Sequence, residues 1–247
     1  MTREAIILAG GSGSRLAAVV ADRPKPLAEV AGRPFLAWQL DYLHSHGIRR
    51  VVLAIGFRGQ QIVDAFGHRY RDIEVVYSLE ASPLGTGGAL CAALCRIEAR
   101  GAFVLNGDTA ARLDFAALQG RADESLVIAA VKIDDARRYG ALAIDGEQVT
   151  GFAEKVASGA AFVNAGAYWV RRDLFDGFVL PERFSFEEHF LRPFVDRIRP
   201  RAVIVPGPMI DIGVPESLAA AQKIVPAVLD EGSADGLPAS GGDCNAW

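Results

Sequence analysis

The apolar run Ala5-Ile6-Ile7-Leu8, broken at once by Ala9-Gly10-Gly11-Ser12-Gly13-Ser14-Arg15, limits this chain to few folds. Such a run, closed by glycines, reads as a strand buried on both faces. The loop after it presents a row of backbone N–H groups. Glycine has no Cβ to hold the backbone off, so the loop can wrap around a phosphate chain. Arg15 and Lys25, the latter in Pro24-Lys25-Pro26, add positive charge beside it. A plain strand-to-helix turn is the alternative for an isolated Gly-Gly, but two neighbouring cations favour phosphate.

The loop matches neither common nucleotide motif. No Lys-Ser or Lys-Thr follows, as a P-loop needs, and Leu16 stands where a dinucleotide fingerprint has its third glycine. Length and composition set further bounds. A chain of 247 residues, 51% hydrophobic and 23% charged, can bury one large α/β core. A net charge of −4 and isolated arginine pairs such as Arg49-Arg50 argue against nucleic-acid binding. No apolar run approaches the ~20 residues of a membrane span, and no secretory leader precedes the first strand, so a cytoplasmic protein is expected. Cys91 and Cys95 sit four apart in an alanine-rich helix and read as buried free thiols.

Strands and helices alternate through the first half. Strands are expected over 4–9, 51–55, 73–79 and 102–105, with helices over 34–46, 60–66 and 85–99. This is the rhythm of an α/β, Rossmann-like, predominantly parallel mixed sheet with helices on both faces. In the second half, strands are expected over 126–131, 141–144, 148–152 and 162–170, and helices over 172–178, 186–195 and 215–225. We read one domain over 1–229, with a nucleotide-binding half about 1–120 and a sugar-binding half about 121–229. Residues 230–247 have the composition of a flexible tail. Ligands of parallel sheets sit beyond the carboxyl ends of the strands. The first loop, Glu80 and Asp108 all fall there.

Two carboxylates stand in apolar surroundings, Asp108 in Leu105-Asn106-Gly107-Asp108 and Asp211 in Met209-Ile210-Asp211-Ile212-Gly213. An aspartate among apolar residues needs a partner. Backbone N–H groups would serve either one alone. Two facing a triphosphate suggest Mg²⁺, a hard ion that bridges protein carboxylates to phosphate.

Three short blocks in order, Leu8-Ala9-Gly10-Gly11, Gly13-Ser14-Arg15-Leu16 and Pro24-Lys25-Pro26, resemble the start of the sugar-1-phosphate nucleotidyltransferases. Later blocks continue the likeness to about residue 222. Glu80 to Ala89, with Gly85 and Thr86, is similar to the base-recognition turn and the helix after it. Tyr139-Gly140, Glu154-Lys155 and Asn164-Ala165-Gly166 are similar to blocks around the sugar phosphate. The resemblance implies nucleotide contacts from Leu8 through Arg15 and from Lys25, Glu80, Gly85, Thr86, Asn106 and Asp108. It implies sugar contacts from Tyr139, Gly140, Glu154, Lys155, Asn164 and Asp211, and a metal on Asp108 and Asp211.

Within that family, the blocks around Pro83, Asp108 and Asp211 look most like the D-glycero-α-D-manno-heptose 1-phosphate guanylyltransferases. The expected reaction is transfer of GMP from GTP to a sugar 1-phosphate, with release of pyrophosphate, for surface polysaccharide synthesis. Arg15, Lys25 and Asp108 would be catalytic: Arg15 on the leaving phosphates, Lys25 on the α-phosphate, Asp108 on the metal. Lys155 would hold the sugar phosphate. Glu80 favours guanine, because a carboxylate accepts from N1–H and N2–H₂ but repels the carbonyls of uracil. Mannose 1-phosphate and a uridylyltransferase acting on a hexose 1-phosphate are the alternatives. A non-catalytic sugar-nucleotide-binding subunit would be expected to lack Lys25 or a metal carboxylate, and both are present. Folds of this kind often form homo-oligomers.

Overall fold

A computed structural model describes residues 2–11, 23–137, 139–153 and 159–230. The expectations for Ser12, Gly13, Ser14, Arg15, Glu154, Lys155 and residues 231–247 lie outside the described residues.

The first half follows the alternating rhythm closely. In order come β1 (Glu4–Leu8), the short hairpin β2 (Glu29–Val30) and β3 (Arg33–Pro34), α1 (Phe35–Ser45), β4 (Arg50–Ile55), α2 (Gly59–Phe66), β5 (Arg69–Tyr70), β6 (Ile73–Leu79), α3 (Gly85–Leu94), β7 (Gly101–Asn106), β8 (Thr109–Ala111) and α4 (Phe115–Leu118). The second half holds β9 (Leu126–Ile133), β10 (Ala141–Asp145), β11 (Gln148–Ala153), β12 (Ala161–Arg171), a π-helical turn (Phe186–Leu191) running into α5 (Arg192–Ile198), β13 (Arg201–Val205), β14 (Met209–Asp211) and α6 (Pro215–Leu229).

Ten strands form one sheet in the order β10-β11-β13-β9-β12-β7-β1-β4-β6-β5. The strands β7, β1, β4 and β6 are mutually parallel neighbours. Beyond β7 the ladder turns antiparallel through β12 and β9, with β13 joining β9 in parallel. The parallel order read from the sequence therefore holds for the first half, and the mixed character is concentrated in the second.

Side-chain alternation splits the core in two. Ile7, Leu53, Phe103 and Trp169 pack on the face covered by α1, α4 and α6. Ile6, Val52, Val104 and Tyr168 pack on the opposite face with Leu90 and Leu94 of α3 and Val195 of α5. Trp169 is only 1% exposed. Its ring lies against Gly101 and Gly120, where a side chain would collide with it.

Three expectations are corrected. The segment 172–178 is not a helix. Its amides bond three residues back, Leu174 to Arg171, Asp176 to Asp173 and Phe178 to Phe175, and Gly177 takes a left-handed φ of 77° that ends any helical continuation. Phe175 and Phe178 pack against Phe190 from successive turns instead. Helix α3 stops at Leu94 rather than at 99. Cys91 and Cys95 are exposed, because Ala89, Leu90, Ala93 and Leu94 take the buried face of α3 and leave the thiols on the other. Strand β13 was not read from Arg201-Ala202-Val203-Ile204-Val205. It follows α5 after two residues and inserts beside β9, a pairing that local sequence does not encode.

Candidate active site

The carboxyl ends of the parallel strands converge on one crevice. In register, Leu8 lies beside Asn106 and Ala54, and Ile55 beside Leu79. The residues just past these ends are held by the ladder's last bonds. Ala9 N donates to Ala54 O at 2.8 Å, Glu80 N to Ile55 O at 2.9 Å and Gly107 N to Leu8 O at 2.9 Å. The start of the glycine loop, Glu80 and Gly107-Asp108 are thereby brought side by side. Any side chain on Gly10 would collide with Glu80 Oε1. With glycine there the carboxylate lies against the loop, and a larger residue would make this flexible side chain swing aside. Glu80 Oε2 accepts from Leu84 N at 3.0 Å, which fixes the carboxylate's orientation.

The charged centre is built on two short elements. Lys25 opens a single 3₁₀ turn, Lys25–Leu27, between two prolines. Fixed proline φ angles stiffen that turn. Lys25 Nζ donates to Asp108 Oδ2 at 2.6 Å and lies 3.7 Å from Asp211 Oδ1. Asp108 and Asp211 are distant in sequence. They meet because β14 pairs antiparallel with β8, setting Asp211 opposite Thr109. Ile212 N then donates to Asp108 O at 2.9 Å. Thr109 Oγ1 donates to Asp108 Oδ1 at 3.0 Å, and Gly213 N to Asp211 Oδ1 at 2.5 Å. The lysine side chain is 11% exposed and the two carboxylates about a third, so the ammonium is the more buried charge and needs both partners.

Beside the carboxylates lies a cavity of about 200 Å³. Asn106, Tyr139, Gly140, Asn164, Glu187 and Asp211 are in its wall. The expected sugar-contacting residues Tyr139, Gly140, Asn164 and Asp211 thus share one pocket, and Asn106 and Asp211 border it on the side of the charged centre. Asn164 is braced within a bulge of β12. Its Nδ2 donates to Tyr168 OH at 2.6 Å, and its Oδ1 accepts from Gly166 N at 3.0 Å. Burial pushes the Tyr168 phenol well above its ordinary range, and the nearby Glu187 charge adds to this.

Gly85 and Thr86 have other neighbours. Thr86 Oγ1 accepts from Phe186 N at 2.9 Å, and Gly87 N donates to Phe184 O at 2.9 Å. Gly85 has φ of 71°, and a Cβ on it would stand 2.5 Å from Phe184 O. The start of α3 is therefore tied to the strand-like segment before the π-helical turn.

Sequence reasoning missed Glu187. Burial raises its carboxyl above the ordinary range, against the opposing effect of the Arg192 charge. The rule that singled out Asp108, a carboxylate among apolar residues, applies equally to Glu187 within Phe184-Ser185-Phe186-Glu187. The Glu187-Glu188 pair looks like the acidic first turn of an exposed helix, which masked it.

A parallel sheet with a glycine loop, an ammonium and paired carboxylates at its carboxyl edge has the architecture of a nucleotide-binding α/β protein. The chain belongs to the Nucleotidyl transferase family, which it matches over residues 4–227. It is 40% identical over 215 residues to the D-glycero-alpha-D-manno-heptose 1-phosphate guanylyltransferase of Campylobacter jejuni, covering 86% of this chain and 96% of the relative. It is 36% identical over 225 residues to the enzyme of the same name from Aneurinibacillus thermoaerophilus, covering 89% and 97%. Among solved structures, HddC from Yersinia pseudotuberculosis superposes with a TM-score of 0.80 at 34% identity, covering 90% of this chain and 99% of that one. The same protein has been solved in complex with GMP-PN. The inositol-1-phosphate CTP transferase of T. maritima, 18% identical with a TM-score of 0.75, shares the fold. No helix among the described residues is long and apolar enough to cross a membrane.

Proposed function

We propose that this protein transfers GMP from GTP to a sugar 1-phosphate, with D-glycero-α-D-manno-heptose 1-phosphate as the preferred acceptor. The observation that carries this reading is the position of Lys25. Its ammonium is held between Asp108 and Asp211 where the nucleotide crevice meets the 200 Å³ pocket. Two guanylyltransferases of that name, each covered over nearly its whole length, support the choice of base and sugar.

An oxygen of the sugar phosphate attacks the α-phosphorus, a new P–O bond forms, and the bond to pyrophosphate breaks. Both reactants are anions, so this site must relieve repulsion and align the attack. Lys25 supplies positive charge that is already desolvated and therefore effective. Asn106 and Asp211, on the border between crevice and pocket, orient the acceptor toward the nucleotide. Glu80, whose Oε2 is held by Leu84 N and whose Oε1 lies against Gly10, would accept from the guanine N1–H and N2–H₂ through its remaining lone pairs. By family resemblance, Arg15 takes the leaving phosphates and Lys155 the sugar phosphate.

The residues present also fit a divalent cation such as Mg²⁺. Asp108 and Asp211 offer only oxygen donors, are brought together by the pairing of β14 with β8, and carry one net negative charge together with Lys25. Asp108 and Asp211 would hold that cation, which would supply further charge neutralisation at the α-phosphate.

The test is pyrophosphate release from each of GTP, UTP, dTTP, ATP and CTP against heptose, mannose and glucose 1-phosphates. The reading requires GTP with the heptose 1-phosphate to be the best pair. A preference for UTP refutes the base assignment, and absence of release from every pair refutes transfer.

A further inference from the structure

Glu187 has no task in the reaction as outlined, yet its carboxylate is in the wall of the sugar pocket beside Tyr139 and Asn164. It stands at the start of the π-helical turn Phe186–Leu191. Glu187 Oε1 lies against the Gly140 backbone, within van der Waals reach of a Cβ built there (3.4 Å), so the carboxylate is at the wall that Gly140 shares. No hydrogen bond engages either oxygen among the described residues. Arg192, the cation whose charge acts on it, pairs with Glu188 at 3.5 Å instead. A carboxylate kept half-buried without a partner costs stability, and such groups cluster where a ligand supplies what is missing.

The chemistry of that ligand follows from charge. An ionised carboxylate only accepts hydrogen bonds. It repels a phosphate, so the group it meets must come from the neutral part of the substrate. On a sugar 1-phosphate those donors are ring and side-chain hydroxyls.

The backbone ahead of Glu187 is unusually well fixed. Phe184 N donates to Leu84 O at 2.9 Å, Gly87 N donates to Phe184 O at 2.9 Å, and Phe186 N donates to Thr86 Oγ1 at 2.9 Å. The last of these bonds holds the residue immediately before Glu187. Leu84 also donates to Glu80, so one hydrogen-bonded path runs from the base-side carboxylate to the backbone just ahead of Glu187.

Resting on the guanylyltransferase reading, we propose that Glu187 is a specificity-determining residue that accepts hydrogen bonds from sugar hydroxyls. Thr86 is the positioning residue that sets it through the Phe186 amide.

The experiment is steady-state kinetics on the full chain with GTP and D-glycero-α-D-manno-heptose 1-phosphate, repeated with mannose 1-phosphate. The variants are Glu187→Ala, Glu187→Gln, Thr86→Val and Thr86→Ser. Removing a charged acceptor should raise KM for the sugar phosphate by about 10- to 100-fold in Glu187→Ala and about fivefold in Glu187→Gln, with KM for GTP within about twofold. Thr86→Val should raise the sugar-phosphate KM by about three- to tenfold, more than it raises the KM for GTP, and Thr86→Ser should restore it. Circular dichroism checks folding, and the near-isosteric Glu187→Gln decides the matter if the alanine variant does not fold. An unchanged sugar-phosphate KM in a folded Glu187 variant overturns the proposal, as does an equal rise in both KM values. Absence of turnover by the unaltered protein overturns the transfer reading and this one with it. Normal turnover there, with indifferent variants, overturns this one alone.

Discussion

The two halves of the sheet build their contributions to the site by different means. In the parallel half, β1, β4, β6 and β7 end together, and the backbone just beyond them is placed by the ladder's last bonds. On the antiparallel side, the pocket is assembled from residues of β12, the π-helical turn and the separate β8–β14 pair, closed by Asn106 at the end of β7, and these meet through long-range pairings. On the proposed reading, the first arrangement would frame the phosphate chain, the part common to many substrates. The second makes a wall whose composition can change residue by residue, which suits the part of the substrate that differs.

That contrast can be attacked at several points. The largest effect is expected at the junction. Asp108→Ala removes the 2.6 Å partner of Lys25 and a proposed cation ligand, and should lower turnover about 10⁴-fold in a protein that still folds, with the thermal transition lowered by the under-compensated ammonium. Near-normal turnover would place the chemistry elsewhere. Next comes the frame between the halves. Trp169 is buried in β12 between β7 and β9, so Trp169→Ala should destabilise the fold by about 3–5 kcal/mol in urea unfolding. A loss under about 1 kcal/mol would mean that the halves do not share one core. Lys25→Ala should then lower turnover about a hundredfold while leaving the sheet intact. A change confined to KM would mean that the ammonium binds substrate and transition state equally. The smallest effect is expected at the base. Glu80→Gln should reduce the preference for GTP over UTP about tenfold, and an unchanged ratio would remove the carboxylate from base reading.

The same contrast explains what the sequence disclosed. Leu8-Ala9-Gly10-Gly11 and Asn106-Gly107-Asp108 are contiguous, so each motif carries its own geometry, and their convergence follows from the rules of parallel sheets. Asp211 was legible as a carboxylate among apolar residues, but the pairing of β14 with β8 that brings it to Asp108 was not. Glu187 is hidden in an acidic pair that reads as the first turn of an exposed helix, and only the assembled pocket wall reveals its place. Thr86 is expected to contact the nucleotide, and its hydroxyl also accepts from Phe186 N, a hundred residues away in sequence, which no motif announces. The 172–178 segment has apolar residues at helical spacing, yet Gly177 and the aromatic packing on Phe190 select successive turns. Strand β13 is a plain apolar run whose place beside β9 only the assembled sheet reveals.

One assay bears most directly on the claim that both halves meet at the carboxylate pair. Pyrophosphate release from GTP should depend on added heptose 1-phosphate in the unaltered protein and disappear in both Asp108→Ala and Asp211→Ala. Release that persists in either variant, or that ignores the sugar phosphate, contradicts it.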